Sequence, residues 1–131
     1  MQINRILETC LYVDDLESAA SFYADVLGLT EVSRQLPRHV FLRCGTQMLL
    51  LFNPQESLRE DGELPPHGTT GSAHVAFAIT ASDIQHWKQR LERLGVAIER
   101  QVRWSQGESL YFRDPDGNSV ELTMSAIWGI P

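Results

Sequence analysis

The sequence predicts an α+β fold in which one β-α-β-β pattern is written twice. Three observations carry this. A strand-like run feeds an amphipathic helical pattern near the start and again after residue 73. Each such passage is followed by a hairpin pattern, and a polar stretch rich in proline and glycine separates the two copies. The predicted organisation is a single domain, residues 1–131, with module one at about 3–53, a linker or lid at 54–72 and module two at about 73–126.

Module one opens with residues 6–13 (ILETCLYV), rich in β-formers, whose alternation puts Ile6, Glu8, Cys10 and Tyr12 on one face and Leu7, Thr9, Leu11 and Val13 on the other. Asp14 with Glu17 three residues on has the form of a capping box. Leu16, Ala19, Ala20, Tyr23, Val26 and Leu27 then recur at helical spacing up to Gly28. A further strand is expected near Glu31–Gln35. After it, His39–Cys44 and Met48–Phe52 flank the turn Gly45-Thr46-Gln47 as a hairpin. Asn53–Ser72 holds three prolines and, at about twenty residues, exceeds the usual connection, so it is read as a linker or a lid.

The pattern then restarts. Ala73–Thr80 reads as a strand, Ser82 as the cap of a helix carrying Ile84, Trp87, Leu91 and Leu94, and Gly95 as its stop. Val96–Val102 supplies the next strand. Ser109–Arg113, the turn Asp114-Pro115-Asp116-Gly117-Asn118 and Ser119–Met124 form the closing hairpin.

Eleven basic and seventeen acidic residues leave a net charge of −6, with neither sign gathered into a block, which excludes a phosphate backbone or an anionic membrane as partner. The longest apolar run, Met48–Phe52, is far below the roughly 20 residues of a membrane-spanning helix. The 43% apolar content supports a core without disulfides. Cys10 and Cys44 are read as reduced thiols, and no signal-peptide pattern opens the chain, so a cytoplasmic location is expected.

Alignment of the two copies sets Glu8 against His74, Leu27-Gly28 against Leu94-Gly95 and Leu42-Arg43 against Phe112-Arg113. With two extra residues allowed in the second turn, Met48-Leu49-Leu50 falls opposite Val120-Glu121-Leu122. Glu8, His74 and Glu121 therefore occupy repeat-equivalent strand positions, with Leu49 at the fourth. Each also has an ordinary reading. Glu8 can be a salt-bridged strand-edge residue, His74 a hydrogen-bonded core histidine, and Glu121 the ion-pair partner of Arg43 or Arg113. Cys10 reads as a core filler, the loop residue His67 as solvated, and Trp128 as a cover for a pocket or an interface.

Val13-Asp14-Asp15-Leu16-Glu17 with Phe22-Tyr23 beyond it, and the closing Tyr111–Leu122 string YFRDPDGNSVEL, resemble the vicinal-oxygen-chelate superfamily. That group includes glyoxalase I, extradiol dioxygenases and the fosfomycin and bleomycin resistance proteins. The resemblance implies two βαβββ modules forming an open, incomplete barrel. It also implies metal ligands from the first and last strands of each module, here Glu8, His74 and Glu121, with Leu49 unable to ligate. Glu8 stands where extradiol dioxygenases and fosfomycin-modifying enzymes usually carry His. One His with two carboxylates suits Mn²⁺, Fe²⁺, Ni²⁺ or Zn²⁺ and leaves positions open for two substrate oxygens.

The function so implied is a divalent-metal-dependent lyase, isomerase or dioxygenase acting on a small molecule with vicinal oxygens. Glu121 would also carry a proton, and Tyr12, Arg43, Tyr111 and Arg113 would line the pocket. The competing expectation is a metal-free ligand-sequestering protein of the bleomycin-resistance type. A homodimer is expected in either case, because an incomplete barrel leaves open sheet edges.

Overall fold

Strand β1 (Glu8–Tyr12) lies parallel to β4 (Gln47–Phe52), which pairs antiparallel with β3 (His39–Cys44), and β2 (Thr30–Gln35) completes a four-stranded sheet in the order β1-β4-β3-β2. The computed structural model describes residues 1–131, and this sheet belongs to the first of two compact units, Met1–Gly71 and Ser72–Pro131. The second unit repeats the plan. Its strands β5 (His74–Ala78), β6 (Arg100–Trp104), β7 (Gly107–Arg113) and β8 (Ser119–Thr123) form a sheet in the order β5-β8-β7-β6, with β5 parallel to β8. The chain is therefore α+β, built from two four-stranded mixed sheets.

In each unit, alternation sends one set of side chains into a core. Leu11, Val13, Val40, Leu42, Leu49 and Leu51 are buried in the first unit, and Leu110, Phe112, Val120 and Leu122 in the second. Helix α1 (Leu16–Asp25) packs on β3 and β4 and buries Leu16, Ala19, Ala20 and Tyr23. Its N-cap is Asp15, whose carboxylate accepts from the Ser18 N–H at 3.0 Å, so the cap sits one residue later than the Asp14–Glu17 pattern implies. Gly28, at φ 76°, supplies the left-handed residue that closes the helix, its N–H donating to the Ala24 carbonyl.

The long connection is partly structured. Asn53 caps the single turn α2 (Pro54–Ser57), and the His67 N–H donates to the Ser57 carbonyl. In the second unit Ala81–Asp83 forms a 3-10 turn before helix α3 (Ile84–Arg93), so the helix starts after the expected Ser82 cap. Strand β6 starts at Arg100, later than the Val96 of the sequence reading, because Val96 still bonds back to the Leu91 carbonyl as part of the helix stop. No helix is long and apolar enough to cross a membrane.

The strand registers correct one alignment. Arg43 pairs with Met48, five positions on, and Arg113 pairs with Ser119, six positions on, so the second turn is longer by one residue and not two. Cys10 pairs with Leu50 where Ala76 pairs with Glu121, which makes Leu50 the equivalent of Glu121. Leu49 is 2% exposed and belongs to the opposite, core-facing side.

The Asp114–Asn118 turn is a latch for β5. Asp114 Oδ1 accepts from the N–H groups of Asp116 and Asn118, and Asp114 Oδ2 accepts from Asn118 Nδ2, each at 2.9 Å. The Asn118 Oδ1 then accepts from the Ala73 N–H at 2.8 Å, and the Ser119 N–H donates to the Ala73 carbonyl at 2.8 Å. The residue before His74 is thereby clipped to the start of β8. Asn118→Ala removes the acceptor of the half-buried Ala73 N–H and one hydrogen bond of the buried Asp114 carboxylate and is expected to cost about 2 kcal/mol or more in urea denaturation, whereas Asp116→Ala, at an exposed position, should stay within about 0.5 kcal/mol of wild type.

Candidate metal centre

The parallel pairing of β5 with β8 sets His74 against Ser119 and Ala76 against Glu121, so His74 and Glu121 stand two residues apart on one face. Their side chains meet, with His74 Nε2 3.2 Å from Glu121 Oε2. Glu121 is 8% exposed at its side chain and His74 49%, so the pair has a buried carboxylate and an accessible imidazole. The His74 ring also stacks near Tyr111, with centroids 6.3 Å apart.

Hydrogen-bond accounting gives each atom a role. His74 Nδ1 lies 3.0 Å from the Ser119 carbonyl oxygen, which can only accept, so Nδ1 carries the proton. In a neutral imidazole Nε2 is then a bare lone pair aimed at a carboxylate oxygen, and two acceptors at 3.2 Å need a cation or a proton between them. Glu121 Oε1 is occupied by two donors, the Ser109 hydroxyl at 2.6 Å and the Tyr111 hydroxyl at 2.9 Å. Burial, followed by the hydrogen bond to Glu121, raises the Tyr111 phenol above its ordinary range and keeps it protonated as a donor.

These donors fit a divalent metal. An imidazole held through Nδ1–H by a backbone carbonyl presents Nε2, the usual arrangement of a ligating histidine, while the hydroxyls fix the carboxylate and leave Oε2 free. Two donors about 2.0–2.2 Å from one ion, at angles between a right angle and tetrahedral, lie roughly 2.8–3.6 Å apart. The observed 3.2 Å falls within that span.

The remaining sequence candidates are distributed as follows. Glu8 belongs to the first unit, where it begins β1 opposite Met48 and is exposed. Within the chain no group of three or more His, Cys, Asp or Glu side chains clusters to hold a metal ion. Tyr12 joins an aromatic group on the first unit's sheet, its ring 6.2 Å from that of Phe52 and its hydroxyl 2.6 Å from His67 Nδ1. His67 is therefore half-buried against this face and not solvated, because Tyr12 and Phe52 give it a polar and an apolar partner. Arg43 is exposed on β3. Arg113 is paired with Glu99 at 2.9 Å and also donates to Ser72 Oγ and the Gly117 carbonyl, so its guanidinium is committed to partners other than the His74–Glu121 pair. Burial, and then Glu8, raises the Cys10 thiol, which suits a packed residue better than a nucleophile.

Ser109 was not legible as a site residue. It is fully buried, donates to Glu121, accepts from Trp104 Nε1–H at 2.8 Å and shares a 2.8 Å hydrogen bond with Thr123 Oγ1. The available signal is its place two residues before Tyr111, on the same strand face. A cavity of about 370 Å³ opens beside this network, with Trp104, Tyr111, Glu121, Ile127 and Trp128 in its wall. Ser109→Ala strips a donor from Glu121 and an acceptor from Trp104. It is expected to lower stability by about 1–3 kcal/mol in urea titration, and to shift tryptophan emission as Trp104 loses its anchor.

Known proteins of the same kind place the chain. Residues 2–122 match the model of the Glyoxalase/Bleomycin resistance protein/Dioxygenase superfamily. A crystal structure of a lactoylglutathione lyase from Agrobacterium tumefaciens superposes with a TM-score of 0.95 at 44% identity, covering 99% of this chain and 100% of that one. The glutathione transferase FosA of Serratia marcescens is 34% identical over 117 residues, 89% of this chain and 78% of that protein. A metallothiol transferase FosB of Staphylococcus epidermidis is 30% identical over 128 residues, 93% of this chain and 82% of that protein. With a match over nearly its whole length, the chain belongs to the glyoxalase/bleomycin resistance protein/dioxygenase superfamily.

Proposed function

We propose that this protein is a divalent-metal-dependent enzyme of lyase, isomerase or transferase type, acting on a small molecule with two neighbouring oxygens. The observation that carries the reading is the pair of facing acceptors, His74 Nε2 and Glu121 Oε2, 3.2 Å apart with their other polar atoms already satisfied. Similarity to proteins named as a lactoylglutathione lyase and a metallothiol transferase supports it. Glu8, which begins the equivalent strand of the first unit, is proposed as the third ligand, supplied by this chain or by a second copy in a homodimer.

A bound Mn²⁺, Fe²⁺, Ni²⁺ or Zn²⁺ would act as a Lewis acid on a substrate carbonyl or hydroxyl oxygen. The chain's own residues supply orientation and proton handling. Ser109 and Tyr111 pin Glu121 through Oε1, so that Oε2 keeps a fixed direction towards the His74 side. Oε2 can also receive a proton from a carbon next to the substrate carbonyl, a general-base role that requires the geometry the two hydroxyls impose. Tyr111 Oη, protonated and 2.9 Å from Oε1, can exchange a hydrogen bond with a developing negative charge.

A second reading rests on the same pair. With a proton in place of a metal ion, the contact of His74 with Glu121 is an ion pair, and a protein that never exchanges that proton for a metal is a ligand-sequestering module. Metal content after chelator dialysis and reconstitution with each of the four ions separates the two. The enzyme reading expects about one ion per chain and a loss of at least roughly 100-fold in affinity in His74→Ala and in Glu121→Gln. A weaker loss in Glu8→Gln would place that residue among the ligands. No retained ion under any loading leaves the sequestering reading.

A further inference from the structure

The wall of the cavity beside Glu121 carries two indoles and one aliphatic side chain, with the uncharged Ser105, Gln106 and Tyr111 completing it. Trp104 and Trp128, both in the lining, are 47% and 78% exposed, a large apolar area to leave against water. Trp104 is held in place, because its Nε1–H donates to the buried Ser109 hydroxyl, which in turn donates to Glu121. Trp128 is carried by the 3-10 turn Ser125–Trp128, which settles on the β6–β7 hairpin where Gly107 faces Trp104. A Cβ at Gly107 would stand 3.0 Å from Met124 Sδ and 3.3 Å from Ile127 Cγ2, so the missing side chain is what admits that turn.

The chemistry of the cavity is lopsided. No lining residue carries a positive charge, and the one charged group, Glu121, is negative. Arg113 on the same strand face is committed to Glu99, Ser72 and Gly117. Without a metal ion at the Glu121 end, an anionic ligand would meet repulsion and no compensating side chain. A flat uncharged ring would meet two indoles and Ile127, while an oxygen at its edge reached Tyr111 and Glu121. The volume of about 370 Å³ lies within the range of pockets for small molecules.

We infer that the cavity bounded by Trp104, Ile127 and Trp128 is the specificity subsite, and that it takes a flat, apolar, uncharged ring whose oxygen substituents point to the Glu121 end. The ring-binding part stands on the cavity alone. Only the placement of the oxygens rests on the reading of His74 and Glu121 as metal ligands.

The test is equilibrium binding of 2,3-dihydroxynaphthalene to the full chain, followed by tryptophan fluorescence and by calorimetry, with and without added Mn²⁺. Naphthalene-2,3-dicarboxylate and 2,3-butanediol serve as the charged and the ringless comparators. The naphthalenediol should bind at least about tenfold tighter than either comparator, and Trp104→Ala and Trp128→Ala should each weaken it about tenfold or more. Trp128 is so exposed that its variant should fold normally, and Trp104→Phe, which keeps a ring face, should lose less than Trp104→Ala. Equal binding by wild type and both alanine variants, or equal affinity for the dicarboxylate in the absence of Mn²⁺, would overturn the inference. Tryptophan-dependent ring binding that persists without Mn²⁺ and is unchanged by it upholds the subsite even if the metal reading fails. Manganese bound without any ring affinity rejects the subsite and leaves the metal reading intact.

Discussion

The parallel contact between the first and last strands of each unit sets what the two sheets can display. In the second unit it joins β5 and β8, more than forty residues apart in sequence, and fixes His74 opposite Ser119 and Ala76 opposite Glu121. A one-residue slip would send Glu121 into the layer that holds Val120 and Leu122 and bring an apolar side chain to His74. The Asp114–Asn118 turn guards against that slip, since Asn118 is bonded both within the turn and to Ala73, the residue preceding His74.

From that register follows a saturated polar network around one carboxylate. Glu121 is buried, and leaving its oxygens unserved would be costly. Ser109 and Tyr111 serve Oε1, and Trp104 continues the chain of donors through Ser109. The remaining oxygen faces an imidazole nitrogen whose ring proton is spent on the Ser119 carbonyl. The arrangement is complete in every contact but that one, where a proton or a metal ion has to lie between the two atoms. The equivalent face of the first unit differs: Leu50 replaces Glu121 and Phe41 stands where Tyr111 does, and Tyr12, His39, Phe41, Phe52 and His67 form an aromatic cluster.

Much of this is legible in the sequence because strand alternation and helix caps repeat. The two strand–helix passages, the hairpins and the closing DPDGN string identify the α+β plan, and repeat equivalence singles out His74 and Glu121. The identity of the fourth position is not legible in the same way. It depends on how many residues a turn absorbs, and the second turn takes one more than the first instead of two, so Leu50 and not Leu49 answers Glu121. Ser109 escapes notice because a serine in a strand carries no signal until Trp104, Thr123 and Glu121 are seen around it. His67 escapes for the opposite reason: its loop reads as polar and exposed, and only the fold gives it Tyr12 and Phe52 as neighbours.

The central claim is that His74, its Nδ1–H held by the Ser119 carbonyl, presents Nε2 towards Glu121 at a spacing that a metal ion can fill. Long-range ¹H–¹⁵N correlation of the histidine side chains, recorded on chelator-treated protein near neutral pH and again after addition of Zn²⁺, reads this directly. The account predicts that His74 Nδ1 keeps its proton with and without metal, and that Nε2 is the ring nitrogen whose resonance moves on loading. A His74 that gives up its Nδ1 proton to the ion, or whose ring resonances ignore the added ion, would contradict it.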